Sequence, residues 1–317
     1  MKTIKQAIMH FCLIGLMTNC VWATNDEFKF SATPIADNVY SIISPYYGRP
    51  TPENKGWNSN SHFVITDNGV LVFDTGSSKL IGEGIIKTIN SVTDKPIRWV
   101  VNSHSHADHW LGNAAFVDLG AEILSSELSE ITMKKNGKQD VEAFSRMTEG
   151  ATGTNKFVYP TSLLKQAEKL NLERNFGGLD VKFIFSNDGH SLGDILMWLP
   201  KQRIIFGGDV LSSDYLPIMT PHGNVENLVE TLNAVVKLDP VIVLPGHGQP
   251  NSTESVIRDS NMLKSVWSLV KKSLGNMTNE EVLLQVKTEL GPKFRSLYKD
   301  FDSSITYLVT MIIKKQP

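Results

Sequence analysis

This sequence predicts an α/β fold in which two sheet-containing halves pack face to face with helices outside. Three observations predict it. Short apolar runs of strand type fall in two groups, and each group is followed by helical stretches. Several of those runs end in glycine-rich or aspartate-rich turns, which let the backbone reverse sharply. A hydrophobic content of 41% over 317 residues is ample for a packed core, and it excludes disorder, collagen and coiled coil.

The chain opens on Lys2 and Lys5, an apolar run from Phe11 to Met17, and Val21-Trp22-Ala23. This reads as a cleavable signal peptide over residues 1–23, with cleavage after Ala23 and a periplasmic or secreted destination. The run is well short of the roughly 20 residues that span a bilayer, so no stable membrane span is expected once the leader is gone. Both cysteines, Cys12 and Cys20, lie in the leader. The remaining chain therefore has no disulfide and no thiolate ligand. Losing the leader also removes two lysines and no acid from a chain of formal charge −2, and no basic cluster points to a nucleic-acid partner.

The elements follow in order. Strands are expected at Val39–Ile43 and His62–Ile65, joined by a long loop, Ser44–Asn60, which carries Tyr46, Tyr47 and Trp57. After the Asp67-Asn68-Gly69 turn, Val70–Phe73 is a buried-type strand that ends in Asp74-Thr75-Gly76. A helix over Ser78–Ser91 leads to a strand at Ile97–Val101. Residues 113–149 read mainly as helix, with a weak strand near Ile123. Residues 150–175 read as a connecting segment with one amphipathic helix near Leu163–Leu170. Strands resume at Val181–Phe185, Ile195–Leu199, Arg203–Phe206 and Val241–Leu244, with a helix over Val225–Leu238 between the last two. Three helices close the chain, over Ser252–Leu274, Asn279–Leu290 and Ser303–Ile313, the second opening on acids that suit a helix N-terminus.

The chemistry concentrates at His104-Ser105-His106-Ala107-Asp108-His109, directly after a strand. Imidazole nitrogen and carboxylate oxygen are the ligands zinc takes when no thiolate is present. In a tight turn His104 and His106 can face one metal while Asp108 and His109 reach a second. One turn cannot complete two sites, so further ligands are expected at other strand ends. His190 in Gly189-His190-Ser191, Asp209 in Gly207-Gly208-Asp209 and His247 in Gly246-His247-Gly248 are the candidates. Together with the turn they use five of the eight histidines. His62 and His222 have no motif partner and read as structural or surface residues, with a cleft-facing position for His222-Gly223-Asn224, just beyond the Asp209 strand, as the other reading.

In this order, the Asp-Thr-Gly strand end, the His-x-His-x-Asp-His turn, the Gly-His, the Gly-Asp and the late Gly-His resemble the metallo-β-lactamase superfamily over about residues 35–250. The resemblance implies an αββα sandwich of two mixed β-sheets flanked by helices, with a dinuclear metal site at one sheet edge. It implies that His104, His106 and His190 bind a first Zn²⁺, that Asp108, His109 and His247 bind a second, and that Asp209 bridges them. Iron or manganese are alternative metals. Asp74 matches the carboxylate that orients the histidine turn. Asp209 separates this chain from the cysteine-ligated lactamases, and the subclass that shares the turn typically lacks the bridging aspartate. Diiron relatives usually carry glutamate at the position of His106, so imidazole there favours hydrolysis. The implied domains are a hydrolase unit over 24–251 and a helical extension over 252–317 packed on it.

The expected reaction is metal-assisted hydrolysis of a small carbonyl substrate, with Asp108 orienting the nucleophilic water. A β-lactam-type cyclic amide is the leading substrate class. A thioester or lactone, as in glyoxalase II-like or lactonase-like enzymes, is the alternative. A phosphodiesterase or nuclease is third, with the acidic charge against it, and an exported metal-binding accessory factor for a periplasmic quinoprotein system is the reading from a different class. Tyr46, Tyr47 and Trp57 are expected to form an apolar flap over the metals, and His222 and Asn224 to face the cleft.

Overall fold

Alternation along the strands decides which face meets which layer. In a computed structural model that describes residues 29–152, 156–165 and 171–315, the expected leader lies outside the described residues. Seven strands form the first sheet in chain order: β1 (Ala32–Ala36), β2 (Val39–Ile42), β3 (Ser61–Ile65), β4 (Val70–Phe73), β5 (Ile97–Val101), β6 (Glu122–Ser126) and β7 (Ser162–Leu164). The first four pair antiparallel, and β4 to β7 pair parallel. Helices α1 (Lys79–Asn90), α2 (Ala107–Trp110), α3 (Asn113–Val117) and α4 (Glu127–Met147) provide the parallel crossovers.

The second sheet has five strands in the order β12-β11-β10-β9-β8. They are β8 (Asn171–Phe176), β9 (Leu179–Asn187), β10 (Asp194–Leu199), β11 (Ile204–Phe206) and β12 (Ile242–Leu244), with α5 (Val225–Leu238) joining the parallel pair β11 and β12. Leu71 and Phe73 of β4 point into the layer between the sheets, where they meet Phe183, Met197 and Phe206. Val70 and Val72 point outward, onto Ile81, Ile85 and Ile89 of α1. Those isoleucines recur every four residues, which puts them on one helix face, and Ser78 caps the helix by accepting from the Ile81 amide. The outer face of the second sheet is covered by α5 and by α6 (Thr253–Ser273), α7 (Asn279–Phe294) and α8 (Phe301–Lys314). A reciprocal Thr278–Glu281 capping box starts α7. Two mixed sheets flanked by helices are therefore the observed architecture.

One expected element is corrected. The amphipathic helix near Leu163–Leu170 does not form at its start, because Ser162–Leu164 is strand β7, paired with Leu124–Ser126 of β6; residues 166–170 lie outside the described residues. At the open edge of β6, ladder hydrogen bonds outweigh local helical spacing. Strands β1 and β8 were not expected. Their residues are mostly half-buried or exposed at sheet edges, so they lack the apolar runs that mark the central strands.

Candidate metal centre

The functional side chains sit where strands end, on one rim of the two sheets. Asp74 follows β4, Ser103 and His104 follow β5, and His190 lies in the β9–β10 connection. Asp209 follows β11 and His247 follows β12. Asp74 adopts φ +63, a left-handed backbone uncommon outside glycine. Three hydrogen bonds hold its carboxylate there: from the Ser103 amide at 2.7 Å, the Ser103 hydroxyl at 2.8 Å and His109 Nδ1 at 2.9 Å. Glycine is required at 246, where a Cβ would run into Asp209 Oδ1 and come within 2.9 Å of the His109 ring.

Outer hydrogen bonds dictate which nitrogen each imidazole presents. The Ser103 hydroxyl donates to Asp74, so it must accept from His104 Nδ1 at 2.8 Å, leaving His104 Nε2 as a lone pair. Carbonyl oxygens only accept, so His190 Nδ1 donates to Ile218 O at 2.9 Å and His247 Nδ1 donates to Asn58 O at 2.7 Å. With His109 Nδ1 on Asp74, four rings turn Nε2 inward, while His106 presents Nδ1. His106 Nδ1 lies 2.8 Å from His104 Nε2 and 3.2 Å from His190 Nε2.

All seven expected residues come together in two sets. His104, His106, His190 and Asp209 form one, and Asp108, His109 and His247 form the other. Asp209 joins them. Its Oδ2 is 3.8 Å from His104 Nε2 and 3.6 Å from His190 Nε2, while its Oδ1 is 3.3 Å from both His109 Nε2 and His247 Nε2. Asp108 Oδ2 lies 3.5 Å from His247 Nε2 and 3.7 Å from His109 Nε2.

The residues fit a cation. The lone-pair Nε2 atoms of His104 and His190 converge on His106 Nδ1 in the first set, and beside the second His109 Nε2 and the facing Asp209 Oδ1 are buried without a hydrogen-bond partner. Burial, with neighbouring His190, lowers His106 to about 4, and burial with His109 and His106 holds His104 well below the usual range. Both rings are thus neutral, as ligands must be. Burial opposes charge on His109, but Asp209, Asp108 and Asp74 outweigh it and hold its pKa well above the ordinary value. Burial likewise opposes an ionised Asp209, and His247 and His109 overcome it. The second set therefore favours positive charge between its carboxylates, which is what a metal supplies.

Some residues that complete the centre escaped sequence reasoning. Asn58 Nδ2 donates to Asp108 Oδ2 at 2.9 Å, and the Ser59 hydroxyl donates to the Asp108 carbonyl at 2.5 Å. Asp194 accepts from the His190 and Ser191 amides at 2.9 and 2.8 Å, which sets the turn that delivers His190. The only hint of Asn58 in the sequence is the polar run Asn58-Ser59-Asn60 before an apolar strand.

A cleft of about 270 Å³ opens over the centre, lined by Tyr47, Asn58, Leu211, Tyr215, Leu216 and Ile218 among others. Of the expected flap, Tyr47 lines it. Trp57 is 3% exposed and stacks on Phe30, so it packs under the loop instead of covering the metals. Tyr46 makes an edge contact with Trp57 and does not line the cleft. Neither do His222, which is exposed, and Asn224, whose side chain caps α5. His62 is buried between Ser41 and the Pro245 carbonyl, a structural position.

The family model of the metallo-beta-lactamase superfamily matches residues 54–247. The metallo-beta-lactamase IND-1 of Chryseobacterium indologenes is 23% identical, over 77% of this chain and 92% of that protein. A metallo-beta-lactamase type 2 of Bacillus cereus is 22% identical, over 76% and 85%. A linear primary-alkylsulfatase of a Pseudomonas species is 22% identical, over 60% of this chain and 42% of that protein. Among solved structures, a metallo-beta-lactamase from Pontibacter korlensis superposes with a TM-score of 0.58 at 21% identity, covering 74% of this chain and 99% of its own. The sec-alkyl sulfatase PisA1, as a double mutant, gives 0.69 at 15% identity, covering 90% of this chain and 50% of its own.

Proposed function

The chain belongs to the metallo-β-lactamase superfamily and is a hydrolase with a His/Asp metal-binding cluster; from that premise we propose an exported enzyme that uses two zinc ions to hydrolyse a β-lactam-type cyclic amide. The observation behind the two-ion reading is the Asp209 carboxylate, whose oxygens face separate sets of imidazoles. In this reading His104, His106 and His190 hold one ion, Asp108, His109 and His247 the other, and Asp209 is shared. Zinc held by nitrogen and oxygen ligands acidifies water and polarises a carbonyl.

The chain's own residues do the rest. Asp108 is at the cleft floor, with Oδ2 pinned by Asn58, and orients the attacking water through its carboxylate. Asp74 fixes the His109 ring and the backbone that carries His104. Tyr47, Leu211, Tyr215, Leu216 and Ile218 exclude water from one flank of the substrate. Export is supported by the leader-like residues 1–23, and no helix among the described residues is long and apolar enough to cross a membrane. The lactam assignment is supported by the named lactamases among the relatives.

A lactone or thioester is the second reading, favoured by one observation. Among the described residues, none lining the cleft is a lysine or arginine, so a substrate carboxylate meets no side-chain cation there. The test begins with metal analysis of protein purified without added metal, where two zinc ions per chain are expected and a single ion would overturn the dinuclear reading. Zinc-loaded enzyme is then offered penicillins, cephalosporins, carbapenems, lactones, thioesters and alkyl sulfates. Turnover of lactones or thioesters with every β-lactam left intact would replace the first substrate class by the second.

A further inference from the structure

The family match ends at His247, yet the wall of the cleft is held by residues beyond it. We infer that Asp300, next to the start of α8, is a positioning residue that determines specificity. It ties Tyr47 to the 211–220 loop, and so builds an aromatic wall that selects substrates with a flat, uncharged group beside the hydrolysed bond. This rests on the reading of the cleft as the substrate site of a metal-dependent hydrolase.

The 211–220 loop is anchored by the C-terminal helices. Arg258 of α6 donates to the Ser213 carbonyl. The Lys299 amide donates to Asp214 O at 2.8 Å, and Lys299 Nζ pairs with Asp214 Oδ2 at 2.8 Å. Asp300 Oδ1 accepts from the Leu216 amide at 2.9 Å. The anchoring segment is itself fixed, since Tyr298 donates to Asp259 Oδ1 at 2.8 Å beneath the Arg258 guanidinium. Residues 213, 214 and 216 are thus pinned around Tyr215, which lines the cleft.

Tyr215 stacks face to face on Tyr47, with 5° between the ring planes, and Tyr47 stands edge-on to the His247 ring at 5.9 Å. These two tyrosines come from loops 168 residues apart, counting from 47 to 215. Asp300 closes the gap between the loops, because its Oδ2 also accepts from the Tyr47 hydroxyl at 3.5 Å. Tyr47 is 42% exposed, so its hydroxyl end is held from the C-terminal side by Asp300 while its ring is held only by the Tyr215 stack and the His247 edge. Without the Asp300 link, the Ser213 and Asp214 anchors still hold the Tyr215 loop, but substrate binding would have to order the Tyr47 ring and lose part of the gain of a preformed wall. With it, a flat apolar group meets Tyr47, Tyr215, Leu216 and Ile218, and no lining cation draws an anionic group there.

Thiols provide a test that needs neither turnover nor a known substrate. The full-length protein is loaded with cobalt and titrated with 2-mercaptoethanol and with phenylmethanethiol, and binding is read from thiolate-to-cobalt absorption. The wild type is expected to prefer the aromatic thiol by about tenfold, the scale of one good aromatic contact plus burial. Asp300→Ala should lower that preference to about twofold with cobalt content unchanged, and Asp300→Asn, which keeps an acceptor for the Leu216 amide, should restore most of it. An unchanged preference in a folded, cobalt-loaded Asp300→Ala protein overturns the inference. If that variant does not fold, Tyr47→Leu is read the same way, and an unchanged preference again overturns it. A protein that takes up no cobalt overturns the metal-site reading and this inference with it, an outcome recognised by the missing visible d–d spectrum.

Discussion

The two ligand sets are built by different means. In the first, His104 and His106 come from the turn after β5 and His190 from the β9–β10 connection, with outer nitrogens held by Ser103 and the Ile218 carbonyl. In the second, Asp108 and His247 are both held by Asn58, once through its side chain and once through its backbone. The long loop before β3 therefore supports one set, while the other rests on the turn after β5 and on the 211–220 loop. A cluster can look symmetric in composition while its halves differ in what keeps them rigid.

That contrast can be broken in graded steps. Asp209→Ala removes the one carboxylate that both sets share, so it should cut metal content and turnover by more than the ~100-fold that loss of an outer partner costs. Metal analysis of dialysed protein and hydrolysis rates check this, and stoichiometric metal with near-normal turnover would contradict the shared role. Asn58→Ala should act on one set alone. In the proposed two-ion centre, the ion in the Asp108–His109–His247 set is expected to bind about tenfold more weakly, with the other unchanged. Equal weakening of both steps in a metal titration would erase the difference between the halves. The smallest effect is expected far from either set. Thr278→Ala breaks the capping box of α7 and should cost about 1 kcal/mol in urea unfolding while leaving metal content alone.

Legibility followed the locality of each signal. The helices over 79–90, 225–238 and 253–273 have apolar residues at helical spacing and side-chain caps, so their positions can be read from nearby residues. Strand β4 and residues 195–199 of β10 are continuous apolar runs buried on both faces, and β5 ends in the buried pair Val100-Val101. Strands β1, β7 and β8 are edge elements, whose pairing depends on what lies beside them. Trp57 shows the same limit: an aromatic residue in a loop gives no local clue whether it faces solvent, ligand or core.

By itself, the sequence determined the donor chemistry: imidazoles and carboxylates after strand-like runs, with no thiol outside residues 1–23. Spacing within one turn was enough, because His104 to His109 are neighbours along the chain. Only the tertiary structure decided that Asp209 turns one oxygen to each set, that Asn58 steadies Asp108, and that Asp300 reaches Tyr47 across 253 residues. Those contacts join distant segments, and packing of the two sheets and the C-terminal helices sets their distances. No periodicity along the chain encodes them.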